Sequence, residues 1–142
     1  MLLEEIKAII DQKYPLVTNL ANVSSILNKI ENINWCGFYL VKDDALYLGP
    51  FQGDVACSRI PFDKGICGRA FRQKETIIIS NVLLDFDHIA CSSISRSEIV
   101  TPIIKNNKVV ALIDIDSPIT DRFTDKDRIF LEDVANLLSK LF

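Results

Sequence analysis

An α+β fold, a central antiparallel β-sheet covered by helices, is what this sequence predicts. Three observations carry the prediction. Apolar residues recur at helical spacing near both ends of the chain. Between them lie short β-rich runs joined by connections of hairpin length. These strands do not alternate with helices in the way that a parallel sheet requires.

Each element follows from its own residues. Leu2, Leu3, Ile6, Ile9 and Ile10 mark a first amphipathic helix, which Tyr14-Pro15 interrupts. Leu16, Leu20, Val23, Leu27 and Ile30 mark a second. WCGFYLV and ALYLGPF read as two strands of a hairpin turning across Lys42–Asp44, and VACSRI as a third, short strand. Residues 65–73, GICGRAFRQ, read as a short helix opened by Gly65. TIIIS reads as a buried strand. A long polar segment, residues 80–96, follows, and a connection of that length in a compact domain is more often functional than idle. EIVTPII and VVALIDID are strands joined at Asn106-Asn107, a tight-turn pair. Thr124 reads as the N-cap of the last helix, with Asp127 in its first turn. Its apolar face is expected to be Ile129, Phe130, Val134, Leu137 and Leu138. The terminal helices are expected to pack together on one face of the sheet, with the short helix and the long loop over the other.

Composition narrows the function. The 142 residues suit one domain spanning 1–142, and 49% apolar with 25% charged residues is globular composition. A net charge of −3 without a Lys/Arg run argues against a nucleic-acid partner. MLLEEIKAII is acidic and broken by charges, unlike a secretory signal, and no apolar run reaches the roughly 18 residues of a membrane span. A cytoplasmic protein with reduced thiols is the expectation. Cysteines stand at 36, 57, 67 and 91, with no C-x-x-C and one histidine, which gives a structural zinc site little support. Buried thiols or redox chemistry remain. Cys36, inside NWCGFYLV, reads as a core residue.

The candidate chemistry gathers at one end of the sheet. In VVALIDID, Val109, Ala111, Ile113 and Ile115 share one face, and Val110, Leu112, Asp114 and Asp116 the other. Two carboxylates thus point the same way at the end of a buried strand. They either accept hydrogen bonds from loop amides or form a carboxyl pocket, in which like charges raise a pKa. Glu98 opens the neighbouring strand. A strict two-residue turn sets it opposite Ile115, on the wrong face. A three-residue turn sets it opposite Asp116, and so does a bulge, for which Pro102 is a plausible cause. The adjoining segment, DFDHIACSSISRSEIVTP, carries Cys91 and His88 on what reads as a surface loop. His88 is read as a structural hydrogen-bonding residue rather than a base for Cys91.

NWCGFYLV, GPFQGDVACSRIPFDKGICGRA, DHIACSSISRSEIVTPI and ALIDIDSP together resemble the free methionine-(R)-sulfoxide reductases, single-domain GAF proteins. The likeness runs from about residue 15 into the final helix. It implies a GAF-like fold and reduction of the R epimer of free methionine sulfoxide. Cys91 corresponds to the catalytic cysteine and Cys57 to the resolving one. Cys67 matches a third cysteine with an auxiliary or alternative resolving role. Glu98, Asp114 and Asp116 match substrate-site carboxylates, which favours the register with all three on one face. Trp35 and Tyr39 match aromatics that shape a pocket for the substrate's methyl group. Asp87 and Ser92 depart from the family, which more often has Gly and Asp there. Ser92 removes a negative charge beside Cys91, which eases thiolate formation.

The resemblance further implies attack by Cys91 on a sulfoxide sulfur, with Glu98 donating to the oxygen, a sulfenic acid, and a disulfide reduced by thioredoxin. No metal or organic cofactor is called for. A homodimer is suggested. The main competing expectation is a non-catalytic GAF sensor for a small ligand; such a module usually adjoins an output domain, for which a single 142-residue domain leaves no residues. A bilin-binding GAF domain is a second, and it usually has His directly after the attachment cysteine, where this chain has Ser92.

Overall fold

The computed structural model describes residues 1–85, 87–89 and 94–142. Its elements run α1 (Leu2–Ile9), α2 (Leu16–Leu27), β1 (Trp35–Val41), β2 (Leu46–Gln52), β3 (Arg59–Ile60), α3 (Gly65–Gln73), β4 (Ile77–Ile79), β5 (Ser97–Lys105), β6 (Lys108–Ser117) and α4 (Asp125–Ser139), with a 3₁₀ turn at Val82–Leu84. The strands form one six-stranded sheet in the order β3-β2-β1-β6-β5-β4, and every neighbouring pair is antiparallel. The expected α+β, GAF-like architecture is therefore present. No helix among the described residues is long and apolar enough to cross a membrane.

Two apolar layers enclose the sheet. On one face Ile6, Leu20, Val23, Leu27, Leu131, Val134 and Leu138 of α1, α2 and α4 pack on Phe38, Ile99, Ile103, Ile113 and Ile115. On the other, Ile66, Cys67 and Ala70 of α3 pack on Trp35, Tyr39, Val100 and Leu112. The long helices and the short one thus lie on opposite faces, as expected. The α4 start is a capping box: the Thr124 N–H donates to Asp127 Oδ2 at 2.8 Å, and the Thr124 side chain accepts from the backbone at Asp127.

Four sequence readings need correction. The third strand shrinks to Arg59–Ile60. β4 is an edge strand whose three isoleucines are all half-buried, not fully buried. On α4, Ile129 is 54% exposed while Leu131 is buried, because the buried stripe runs through Leu131, Val134, Ala135 and Leu138, sharing only Val134 and Leu138 with the one expected. Val109 packs with the α3 layer and Val110 against the long helices, the reverse of strict alternation.

The last correction has a cause that positions the site. Asn106 and Asn107 form a two-residue turn with φ of 53° and 65°, and Lys105 pairs with Lys108. A register shift follows at once: Ile104 pairs with Val109 but Ile103 with Ala111, leaving Val110 as the extra residue of a β-bulge. That one residue swaps the faces of Val109 and Val110 and brings Glu98 opposite Asp116. Pro102 lies one residue from the shift and beyond the end of β4, which pairs only with Glu98–Val100.

Candidate active site

The site is written in sheet register. Trp35, Asp116 and Glu98 lie side by side across β1, β6 and β5, with Ile79 of β4 completing the row. One row along, Asp114 lies between Gly37 and Val100. All three acids face α3, whose first turn carries Gly65, Ile66 and Cys67. Together with Tyr39, Asn34, Ser95, His88 and the Asp54–Ala56 turn, they line a cavity of about 50 Å³. A fully buried aliphatic residue at each acidic position would contribute roughly 1.5–3 kcal/mol. Carboxyls there must instead be desolvated, so this end of the sheet gives up stability, as functional sites commonly do.

Glu98 and Asp114 are buried, at 7% and 6% exposure, and Asp116 is partly so. Burial, then the charges of Asp114 and Asp116, push the Glu98 carboxyl well above the ordinary range. Burial and the Asp114 charge do the same to Asp116. Burial raises Asp114 too, but hydrogen bonds from Glu98 and Cys67 oppose it. Asp114 Oδ1 is buried, and no N–H or O–H of the described residues reaches it. A proton on Glu98, within hydrogen-bonding reach of both aspartates, lets the cluster exist without three adjacent negative charges. The described lining includes no Lys or Arg, so the cavity favours a ligand that brings positive charge or hydrogen-bond donors.

The aromatics do more than shape a wall. Trp35 stacks on Phe51 at 5.2 Å and lies 6.2 Å from Tyr39. Trp35 Nε1 donates to the Asp54 carbonyl at 3.0 Å, and the Tyr39 hydroxyl donates to the Cys57 carbonyl at 2.9 Å. The two rings therefore hold the segment that presents Cys57. Gly53 begins that segment with φ of 133°, and a Cβ there would stand 2.6 Å from Trp35 Cδ1. A side chain at that position is excluded by both conformation and space.

The cysteines divide by environment. Cys57 is half-buried and disulfide-bonded, whereas Cys36 and Cys67 carry free thiols. Cys36 sits in the opposite layer with Sγ 3.5 Å from the Ser24 carbonyl, and burial above all pushes its pKa to about 12. It is the core residue the sequence suggested. Cys67 lies in the cavity wall and donates to Asp114 Oδ2 at 3.6 Å. Burial, then the nearby carboxylates, raise its pKa well above the thiol range, which suits a hydrogen-bond donor better than a nucleophile. Cys91 and Ser92 lie outside the described residues.

The segment leading to Cys91 is anchored on α3. Arg69 Nη2 bridges Asp85 Oδ1 and Asp87 Oδ2, each at 2.8 Å. Asp87, a departure from the family pattern, thus has a partner of its own. Gly65 opens α3 with φ of 71°, and Ile89 approaches so closely that a Cβ would meet its Cδ1 at 3.0 Å. His88 lines the cavity, and burial lowers its pKa against the pull of Asp85 and Asp114, keeping it neutral.

Two residues of the site escaped the sequence reading. Asn34 Nδ2 donates to Ser95 Oγ at 3.1 Å, while Asn34 Oδ1 is buried without a partner among the described residues. The Asn34 N–H bonds the Asp116 carbonyl at 2.9 Å. In the sequence Asn34 resembles an ordinary residue before a strand, and only the pairing of Trp35 with Asp116 reveals its place.

Comparison with known proteins agrees with this frame. The GAF domain family matches residues 21–142. Free methionine-R-sulfoxide reductase of Escherichia coli (strain K12) is 44% identical over 126 residues, 88% of this chain and 76% of that protein. The X-ray structure of free methionine-R-sulfoxide reductase from Neisseria meningitidis in complex with its substrate has a TM-score of 0.94 at 39% identity, covering 99% of this chain and 86% of that one. The reduced form of fRMsr of Staphylococcus aureus has a TM-score of 0.93 at 42% identity, covering 99% and 92%. Identity at this level over most of both chains, on a shared GAF fold, makes this chain a member of the free methionine-R-sulfoxide reductase family.

Proposed function

We propose that this reductase converts free L-methionine-(R)-S-oxide to methionine through a sulfenic acid on Cys91 and a disulfide with Cys57, with thioredoxin as the external reductant. The observation that carries the reading is the buried carboxyl trio, in which burial and the neighbouring carboxylates push Glu98 well above its ordinary range beside Asp114 and Asp116. A sulfoxide sulfur becomes electrophilic as its oxygen accepts a proton, and Glu98 is the acid suited to supply one near neutral pH. Cys91 attacks that sulfur as a thiolate. Oxygen passes to the cysteine, methionine leaves, and Cys91 becomes a sulfenic acid. The Cys57 thiol condenses with it, releasing water and forming the disulfide. A dithiol then reduces the disulfide by exchange.

The remaining groups take roles that fit their chemistry. Trp35 and Tyr39 offer an apolar wall for the substrate's methyl group while fixing the Cys57 segment. Asp114 and Asp116 receive the α-ammonium, the positive charge that a pocket lined without Lys or Arg favours. The disulfide-bonded state of Cys57, against the free and buried thiol of Cys67, supports Cys57 as the resolving residue. Cys67 is assigned to the carboxyl cluster as a hydrogen-bond donor.

The test is single-turnover methionine release by pre-reduced protein, followed by NADPH consumption with a thioredoxin regenerating system. Wild type is expected to release one methionine per chain and then to cycle, and Cys91→Ser to release none. Normal release by Cys91→Ser would remove that residue from the mechanism.

A further inference from the structure

The thiol of Cys67, assigned above to the carboxyl cluster rather than to the redox pair, stands inside the cavity wall and donates to a carboxylate. Ligand atoms of Cys67, Glu98 and Asp114 all lie within 4.8 Å of one another. The Cys67 Sγ to Asp114 Oδ2 distance is 3.6 Å. On tetrahedral zinc, with about 2.3 Å to sulfur and about 2.1 Å to oxygen, the sulfur–oxygen edge is also about 3.6 Å. A second, independent feature points to a ligand: Asp114 is 6% exposed, lines the cavity, and its Oδ1 is unpartnered among the described residues.

We propose that Cys67, Glu98 and Asp114 form an inhibitory site for a soft divalent cation, of the zinc or cadmium class, which binds the reduced enzyme in competition with the sulfoxide. One thiolate and two carboxylates are a donor set for such ions and a poor one for magnesium or calcium, which take oxygen ligands only. The cation replaces protons: the Cys67 thiol proton and the proton held by Glu98 leave to solvent as the bonds to metal form. It thereby occupies the groups assigned to the sulfoxide oxygen and the ammonium. The proposed reaction uses no metal, so the consequence of binding is loss of turnover.

Cadmium is the direct probe, because a cadmium–thiolate bond gives an ultraviolet charge-transfer band. The protein is reduced with a phosphine, which leaves no competing thiol in solution, and titrated with Cd²⁺. Wild type and Cys57→Ser/Cys91→Ser are expected to show the band with one cadmium per chain. Cys67→Ser, its fold checked by circular dichroism, is expected to lack it. Asp114→Asn, which keeps the thiol, is expected to weaken binding by at least about 100-fold, since even outer-shell partners of metal sites contribute 10–100-fold. A band that survives in Cys67→Ser, or disappears in Cys57→Ser/Cys91→Ser, would overturn the proposal, the latter by placing the metal on the redox pair.

Competition is read separately, as single-turnover methionine release with Zn²⁺ present. The sulfoxide concentration needed for half-maximal rate should rise with zinc and return after a chelator. This arm rests on the proposed reaction, whereas the cadmium arm does not. Cadmium binding through Cys67 without competition would overturn the inhibitory role and, with it, the placement of the sulfoxide beside Glu98.

Discussion

Replacing Glu98 by Gln should make the protein more stable and a far worse reductase, and both effects can be sized. The Glu98 and Asp114 oxygens lie within 4.8 Å of each other. Two unit charges at that separation repel by about 3 kcal/mol at an effective dielectric near 20. Glu98 therefore keeps its proton in the folded state while the unfolded chain loses it above about pH 4.3. The sign follows from linkage: the carboxyl's folded pKa is raised, so stability is fullest below the unfolded pKa. It declines as pH rises and levels off once the folded pKa is passed. A glutamine never ionises in either state, so it avoids that pH-dependent loss, and it donates through its amide. Glu98→Gln should match wild type near pH 4 and exceed it at neutral pH by about 1–2 kcal/mol, a rise of roughly 3–8 °C in Tm. The same change removes the acid, and single-turnover methionine release should fall by about 100-fold or more. Thermal melts at pH 4 and pH 7, paired with quenched-flow methionine release, measure both. A variant with a lower Tm at pH 7 and a release rate within tenfold of wild type would refute the reasoning on both counts.

Further expectations follow from the same geometry. Cys57→Ser should release methionine once and fail to recycle with thioredoxin, while Cys67→Ser should still recycle; mass spectrometry of the oxidised wild type identifies the bridge. Arg69→Met removes the group that ties Asp85 and Asp87 to α3. It should slow methionine release by about tenfold, because a loop shift of an ångström suffices for such a loss, and lower Tm, because two partly buried carboxylates lose their cation.

The sequence made the sheet and its coverings legible because those depend on local signals. Paired asparagines forced the tight turn, Thr124 and Asp127 the capping box, and GICGRAFRQ the bounds of α3. The identity of the three acids was legible too, but the strand pattern left their register open, and only the family resemblance favoured their meeting. Their meeting depends on a bulge at Val110, and a one-residue insertion leaves no trace in a run of β-branched residues that pack well on either face. Ile129 was misread for a similar reason: α4 carries more apolar residues than its buried stripe uses, and tertiary packing chose Leu131 instead. Asn34 and Ser95 were missed because small polar residues beside a strand carry no signature until the neighbouring strand is in register. Cys91 was read from its segment and from the family resemblance, and it lies outside the described residues.

The assignment of a carboxylate to the substrate's ammonium is the claim on which free-amino-acid selectivity rests. It is tested most directly by comparing kcat/KM for free L-methionine-R-sulfoxide and its N-acetyl derivative, with the S epimer as a control. Acetylation removes the ammonium and leaves a buried charge of Asp114 or Asp116 without its partner, a cost on the order of 2–5 kcal/mol. The free R-sulfoxide should therefore be favoured by roughly tenfold at least, and the S epimer hardly turned over. Comparable kcat/KM for the free and acetylated R-sulfoxides would contradict both the ammonium site and the assignment of a free amino acid as substrate.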